Sequence, residues 1–354
     1  MSTGREAPAL VEVLPNHRFD EAALVRYLKD RLPGFDGAVT VRQFQGGQSN
    51  PTYHVQTPAG AYVLRKKPGG KLLPSAHAVD REYRVMKALQ GTGVPVPVMR
   101  LLCEDEGVIG QMFFVMDHVP GRVPSDPLVP GVDAAERRET YLEGARVLAK
   151  LHGVDWRAAG LEGFGKPDGY VARQLARWQK QYEAGKVEEN AHMAQLAAWL
   201  GARVPTRDES VIAHGDSRIG NMIFAFDAPK VLALLDWELA TIGHPLGDLS
   251  YMCMPYYMPA DDPRGFRGQD YVALGIPTED DLKQEYCRAA GRSGLPDWDF
   301  FMVFSLYRIA AIRAGIYKRA IDGNAANRDA MQVGSAYRGL AKTAWSLANG
   351  ERPA

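Results

Sequence analysis

The chain is poor in cysteine, carries no excess of charge of either sign and has no long apolar run, and each lack removes a class of protein. Only Cys103, Cys253 and Cys287 occur among 354 residues. An odd, widely spaced set fits neither a disulfide framework nor a zinc-ligand pair, so free thiols in a reducing cytoplasm are expected. Lysine plus arginine number 42, as do aspartate plus glutamate. A net charge of zero gives no electrostatic reason to expect nucleic acid or an anionic membrane as partner. No apolar stretch approaches the ~20 residues of a membrane helix, and the first residues hold no signal-peptide core. Repeats and low-complexity tracts are missing, and there is no G-x-S-x-G turn to support serine-hydrolase chemistry.

What is present reads as a globular protein of 46% hydrophobic and 24% charged residues. Its length exceeds the ~250–300 residues at which one core stops growing, so two lobes are expected. Beyond a polar start of about 20 residues that is loosely held, residues 21–32 have the spacing of a short amphipathic helix. Short β-prone runs at 39–44, 52–55 and 61–65, punctuated by glycine and proline, predict an antiparallel meander. Helical spacing returns at 76–90, followed by strand-like stretches at 98–103 and 111–116. Beyond Gly121 the pattern is helical at 133–152, 168–200 (split near Gly185), 279–292, 298–321 and 327–348, interrupted by short strands at 211–213 and 231–235. The expected fold class is α+β. An N-terminal lobe over residues 1–118 holds the antiparallel sheet and one main helix, and a larger, mostly helical lobe spans 119–354.

The residues that carry chemistry lie beside the two interrupting strands. His214-Gly215-Asp216 is followed by Asn221, five positions after the aspartate, and by Asp236 at the end of the next strand. Phosphoryl transfer needs a carboxylate to orient a hydroxyl and take its proton, and oxygen ligands for the cation that bridges the phosphates. Histidine and aspartate beside glycine also occur in ordinary turns. The asparagine and strand-ending aspartate in register favour the catalytic-loop pattern of kinases.

With these motifs, and with Gly46-Gly47-Gln48-Ser49-Asn50, Tyr62-Val63-Leu64-Arg65, Arg81-Glu82-Tyr83, Phe114-Val115-Met116, Leu148–His152 and Asp236-Trp237-Glu238 through Leu249, the sequence from about 38 to 345 resembles the aminoglycoside phosphotransferase family. That family shares the protein-kinase-like fold. The nearest subgroup comprises kinase-like domains that precede acyl-CoA dehydrogenase modules in some longer chains. The resemblance implies ATP and Mg²⁺ as cofactors, Asp216 as base and Asn221 and Asp236 as metal ligands. It also implies a turn at Gly46, Gly47, Ser49 and Asn50 over the phosphates, an Arg65–Glu82 pair, and a hinge at Met116, Asp117 and Val119 against the adenine.

Two departures qualify this. Arg65 stands where a strand lysine is usual; a guanidinium can fork to two partners but is not an equivalent point charge. The alternative is a plain surface ion pair with Glu82. Gly215 replaces the arginine with which regulated protein kinases read a phosphorylated activation loop, which argues for a metabolite kinase. A nucleotide-binding pseudokinase without turnover is the other reading, disfavoured because Asp216, Asn221 and Asp236 are all retained. His244 and Asp248 are four apart, but the intervening Pro245 and Gly247 argue against a helix there. Asp248 is expected to tether the catalytic loop, His152 to be a packing residue, and Trp237 to be core. Residues 301–321 contain Arg308, Arg313, Lys318 and Arg319 and no acid. Arg308 and Arg313, set among apolar neighbours, either snorkel outward or meet an anion. The second option makes the hydroxylated acceptor anionic, an acyl thioester or acid.

Overall fold

A computed structural model of the protein describes residues 7–45, 50–70, 78–324 and 329–352. In chain order its strands are β1 (Leu10–Val11), β2 (Thr40–Phe44), β3 (Thr52–Thr57), β4 (Gly60–Lys66), β5 (Met99–Cys103), β6 (Phe113–Asp117), β7 (Val211–Ala213), β8 (Met222–Phe224), β9 (Val231–Leu234) and β10 (Thr241–Gly243). The helices are α1 (Glu21–Leu28), α2 (Val79–Leu89), α3 (Ala134–His152), α4 (Tyr170–Gly185), α5 (Ala191–Gly201), α6 (Pro245–Cys253), α7 (Glu279–Ala290), α8 (Trp298–Ile321), α9 (Ala330–Ser335) and α10 (Tyr337–Ala348). The expected α+β class is what the chain adopts.

The chain divides into two compact units. The first comprises Met1–Pro124, Arg157–Leu161 and Gly220–Ala240; the second comprises Ser125–Trp156, Glu162–Ile219 and Thr241–Ala354. In the first, a six-stranded antiparallel sheet has the order β1-β2-β3-β4-β6-β5. Alternation sends Val41, Tyr53, Val55, Tyr62, Leu64 and Val115 to one face, where they pack with Leu24 and Leu28 of α1. The Asp20 carboxylate caps α1 by accepting from the Ala23 amide at 2.9 Å. Residues 10–17, expected to be loosely held, instead contribute β1, and the Tyr53 hydroxyl donates to the His17 carbonyl at 2.7 Å. The same unit includes the β8–β9 hairpin, in which Met222 pairs with Leu234.

The second unit is helical apart from the β7–β10 pair. Its axis is α8, which is apolar nearly all round and therefore buried. By length and composition α8 would pass as a membrane span, a correction to the reading that no such stretch exists, but 83% of its most apolar window is inside the unit. Gly185 ends α4 against α8: a Cβ there would stand 3.1 Å from the Gly315 Cα, so the two backbones cross closely enough that a side chain would press on α8. Helix α6 corrects a second expectation. Proline at the first helical position loses an amide that needs no partner, so Pro245 starts the helix rather than breaking it. The single helix expected at 327–348 is two, joined at Ala336.

Candidate functional site

In the first unit, Arg65 is the centre of a charge network. Strand β4 projects it from the sheet face opposite the α1 core, toward α2. Its Nε lies 3.0 Å from Glu82 Oε2, and its Nη2 donates to Asp236 Oδ1 at 3.0 Å. The Arg65 and Glu82 side chains are 14% and 1% exposed, so the pair is interior rather than the surface contact that was the alternative. Asn50 is also buried, and its amide donates to Glu82 Oε1 at 2.8 Å. Its side chain therefore buttresses Glu82. Gly46, Gly47 and Ser49, expected over the phosphates, lie outside the described residues.

Burial pushes the Glu82 carboxyl up to about 7; Asp236 and Glu238 add to the rise and the Arg65 charge offsets part of it. One guanidinium thus faces two carboxylates directly, with a third nearby, and the group carries a negative excess that suits a divalent cation. Asp236 has φ +64, a left-handed conformation that costs a side chain roughly 1–2 kcal/mol and that aspartate tolerates better than most. Asn221 lies at the same end of the β8–β9 hairpin, its carbonyl accepting from the Leu235 amide at 2.8 Å. Among the described residues no cluster of three or more His, Cys, Asp or Glu could hold a metal by itself. Magnesium is ordinarily bound by one or two carboxylates completed by substrate phosphates, so Asp236 with Asn221 is a fitting donor set.

Met116, Asp117 and Val119 lie at and just after the end of β6. Asp117 is held by Arg100, which donates to both carboxylate oxygens at 2.6 Å, and its amide by the Val98 carbonyl. The His118 amide donates to the Ala61 carbonyl at 3.1 Å. The Val119 backbone makes no hydrogen bond among the described residues.

The second unit carries Asp216, and its loop is pinned by Asp248 on α6. Asp248 Oδ2 accepts from the His214 amide at 2.6 Å and Oδ1 from the Gly215 amide at 2.8 Å, while Ser217 Oγ donates to the Asp248 carbonyl at 2.7 Å. Asp248 is thus the expected tether. Because a carboxylate only accepts, His152 Nε2 must donate to Asp248 Oδ2 across 3.2 Å, and its Nδ1 is hydrogen-bonded with the Tyr286 hydroxyl at 2.7 Å. Burial would raise the Asp248 carboxyl, but His152, His214 and the Gly215 amide outweigh it and hold the group below the ordinary value. Gly215 has φ +84, so the residue that replaces the arginine of regulated kinases also meets a backbone need.

Three guanidiniums lie near Asp216, in addition to the Asp248 tether already described. Arg218 Nε is 3.5 Å from Asp216 Oδ2. The Tyr251 hydroxyl hydrogen-bonds Asp216 and accepts from Arg264 Nη1 at 3.2 Å. Arg308 Nη2 donates to the Gly215 carbonyl at 2.6 Å, and its guanidinium lies 5.2 Å from the Trp178 ring and 4.9 Å from that of Tyr251. Arg308 therefore neither snorkels nor stands free, although its Nε has no hydrogen-bond partner. Arg313 is a correction: helix α8 has no acid over this stretch, but Asp262 from the segment after α6 pairs with it, and both are buried. Its charge is already met. Tyr251 and Arg264 were missed, because Tyr251 follows Asp248 by three positions on a helix that was not expected.

An antiparallel sheet carrying a basic strand residue paired to a helix glutamate and a strand-ending aspartate, with a tethered His-Gly-Asp loop, defines a kinase-like phosphotransferase fold. A family model described as the phosphotransferase enzyme family matches residues 40–304, and the chain belongs to that family. A crystal structure from Ralstonia eutropha JMP134, provisionally named an aminoglycoside phosphotransferase, is 45% identical, with a TM-score of 0.87, and the match covers 94% of this chain and 99% of that one. Spectinomycin phosphotransferase in complex with ADP and spectinomycin shares the fold at TM-score 0.62 and 11% identity, over 93% of this chain and 98% of that one. Acyl-CoA dehydrogenase family member 11 of Homo sapiens is 42% identical over 96% of this chain. The chain spans under half the length of that relative, 44% of it.

Two predictions follow from the second unit. Asp248→Asn keeps one acceptor for two loop amides and turns an N–H toward the other, so it should destabilise the protein by at least about 2 kcal/mol, read as a lower urea midpoint at constant slope. His244 caps α6 by accepting from the Leu246 amide at 3.2 Å and stacks on Phe301 at 4.4 Å. Burial lowers its pKa from 6.5 to about 4. A histidine depressed on folding stabilises above pH 6.5, and that contribution is lost as pH falls toward 4. His244→Asn retains a cap but not the titration, so its stability should fall less steeply between pH 6.5 and 4 than the parent's, by up to about 3 kcal/mol across the window.

Proposed function

We propose that this phosphotransferase-family protein is an ATP-dependent small-molecule kinase that moves the γ-phosphoryl group to a substrate hydroxyl, with Asp216 as base. The observation that carries the reading is the Arg65 bridge. In kinases the ion pair between strand and helix and the metal-binding aspartate must both be in place for turnover. Here one guanidinium bonds Glu82 and Asp236 together, the arrangement of a competent site. A pseudokinase would have no need to hold a strained, charged Asp236 beside it. Asp236 and Asn221 would hold magnesium, which when bound neutralises the phosphate oxygens. Arg65 orients the phosphates and fixes Asp236, the backbone after β6 receives the base, and Asp216 orients the hydroxyl and accepts its proton. The spectinomycin enzyme's complex with ADP supports a nucleotide donor.

The acceptor in this reading is anionic, a hydroxyacyl thioester or hydroxy acid rather than an aminoglycoside. Polycations call for a site lined with carboxylates. Asp216 instead has Arg218 beside it, Arg264 behind Tyr251, and Arg308 behind Gly215. Kinship with a protein named for acyl-CoA dehydrogenase points to thioesters.

The test is a screen of hydroxylated compounds for ADP release. A hydroxyacyl-CoA should be turned over, and Asp216→Asn should lower that turnover by ~10²–10⁴ while leaving ATP affinity intact. Higher catalytic efficiency on kanamycin-like polycations would reject the anionic acceptor, and unchanged turnover by the variant would remove Asp216 from the chemistry. A further expectation concerns the metal. Asp236→Ala should abolish magnesium-dependent binding of ATP measured calorimetrically, and equal binding by variant and parent would reject the ligand assignment.

A further inference from the structure

The tether described above fixes the backbone of the Asp216 loop but stops short of the carboxylate. Asp248 takes the His214 and Gly215 amides, Arg308 takes the Gly215 carbonyl, and the Asp216 amide donates to His214 Nδ1 at 3.2 Å. These bonds place the main chain and leave the side-chain torsions of Asp216 to other contacts. Tyr251 supplies one. It follows Asp248 by three positions on α6, so the two share one helix face, and its hydroxyl hydrogen-bonds the Asp216 carboxylate.

Chemistry fixes the direction of both bonds to that hydroxyl. A carboxylate only accepts and a guanidinium only donates. The single phenol proton therefore points to Asp216, and the oxygen accepts from Arg264 Nη1 at 3.2 Å. Burial pushes the Tyr251 phenol up and the Asp216 charge adds to the rise, against Arg264 and Arg308, so the proton stays in place at neutral pH. The ring is itself buried, 4.9 Å from the Arg308 guanidinium.

The turn that carries Arg264 is held on several sides. Asp262 Oδ1 accepts from the Arg264 amide at 3.0 Å, and its other oxygen pairs with Arg313 of α8. The Asp262 carbonyl accepts from the Gly265 amide at 2.9 Å, and the buried Phe266 donates its amide to the Pro255 carbonyl at 2.9 Å. The buried Arg313–Asp262 pair thus anchors the turn that presents Arg264 to Tyr251.

We propose that Tyr251, backed by Arg264, is a positioning residue that sets the rotation of the Asp216 carboxylate toward the acceptor hydroxyl. This rests on the kinase reading above and adds to it a residue that no motif marks. An ionised carboxylate has about four acceptor sites, so one bond from the phenol orients it and leaves capacity for a substrate hydroxyl.

The experiment is a double-mutant cycle read as ADP release from MgATP with 3-hydroxybutyryl-CoA and the other hydroxylated compounds of the screen. Tyr251→Phe keeps the ring beside Arg308 and removes only the hydroxyl. It should lower kcat by about 10- to 100-fold while KM for MgATP and for the acceptor changes less than about twofold. In an Asp216→Asn background the same substitution should cost less than about twofold, because the group it orients is no longer a base. Arg264→Met, which leaves α6 untouched, should lower kcat in the parent and cost less than about twofold once the Tyr251 hydroxyl is gone. Independently of turnover, Tyr251→Phe should shift the carboxyl ¹³C resonance of Asp216, identified by its loss in Asp216→Asn. Equal losses in both backgrounds, a raised KM at unchanged kcat, or an Asp216 carboxyl signal indifferent to Tyr251→Phe would overturn the positioning role while leaving Asp216 as base. A parent that turns over no hydroxylated compound would overturn the kinase reading and this inference with it.

Discussion

Arg65 holds two carboxylates from distant parts of the sequence, and the arrangement of the first unit's site depends on those two hydrogen-bonded ion pairs. Glu82 comes from α2 and Asp236 from the turn after β9, 171 residues away in sequence from Arg65. Neither acid is comfortable where it lies. Glu82 is almost wholly withdrawn from water, and Asp236 has a backbone conformation that most residues avoid. Removing one partner from a buried pair commonly costs about 3–5 kcal/mol, because the survivor stays buried and unmatched. A lysine could satisfy one acid well. An arginine fork satisfies two at fixed geometry, and this accounts for the departure at this position.

The second unit solves a comparable problem with a carboxylate at its centre. Asp248 is buried, and two backbone amides, a histidine and its own place near the start of α6 stabilise its charge. A loop whose amides are fixed in this way holds its side chains at defined positions without needing regular structure. Arg308 grips the same loop through the Gly215 carbonyl. A helix as apolar as α8 bears the cost of two buried guanidiniums because each has a purpose. One is neutralised by Asp262 and the other positions the residue before Asp216.

Much of this was legible in the sequence. Hydrophobic period and punctuation located most strands of the sheet, α1 to α5 and α7 and α8, because those elements have one buried face and the pattern repeats several times. The Arg65–Glu82 pair and the tethering by Asp248 were legible because charged residues at fixed motif positions have few alternatives once buried. Strands β1, β8 and β10 were not, since two or three residues are too few to show alternation, and β7, equally short, was legible only as an apolar run beside the His-Gly-Asp motif. Helix α6 was hidden by a rule applied one position too far: proline breaks a helix interior but starts a helix well. Asp262, the partner of Arg313, could not be found by inspecting α8, because pairing across 51 residues is a property of the fold.

Three rings that meet beside the Arg65 row, those of Phe44, His54 and His118, mark the same limit. His54, His118 and Phe44 are spread over 75 residues and none belongs to a recognisable motif, so no spacing rule selects them. They become neighbours only once β2, β3, β4 and β6 pair in a definite register, and a slip of one residue on β3 would turn His54 into the α1 core and Tyr53 and Val55 out of it. The hydrophobic core that fixes this register therefore also fixes which side chains share the Arg65 face. Where a core and a polar site lie on opposite faces of one sheet, the alternation that fills the first arranges the second. Residues with no signal of their own acquire their place on the sheet through neighbours on the other side.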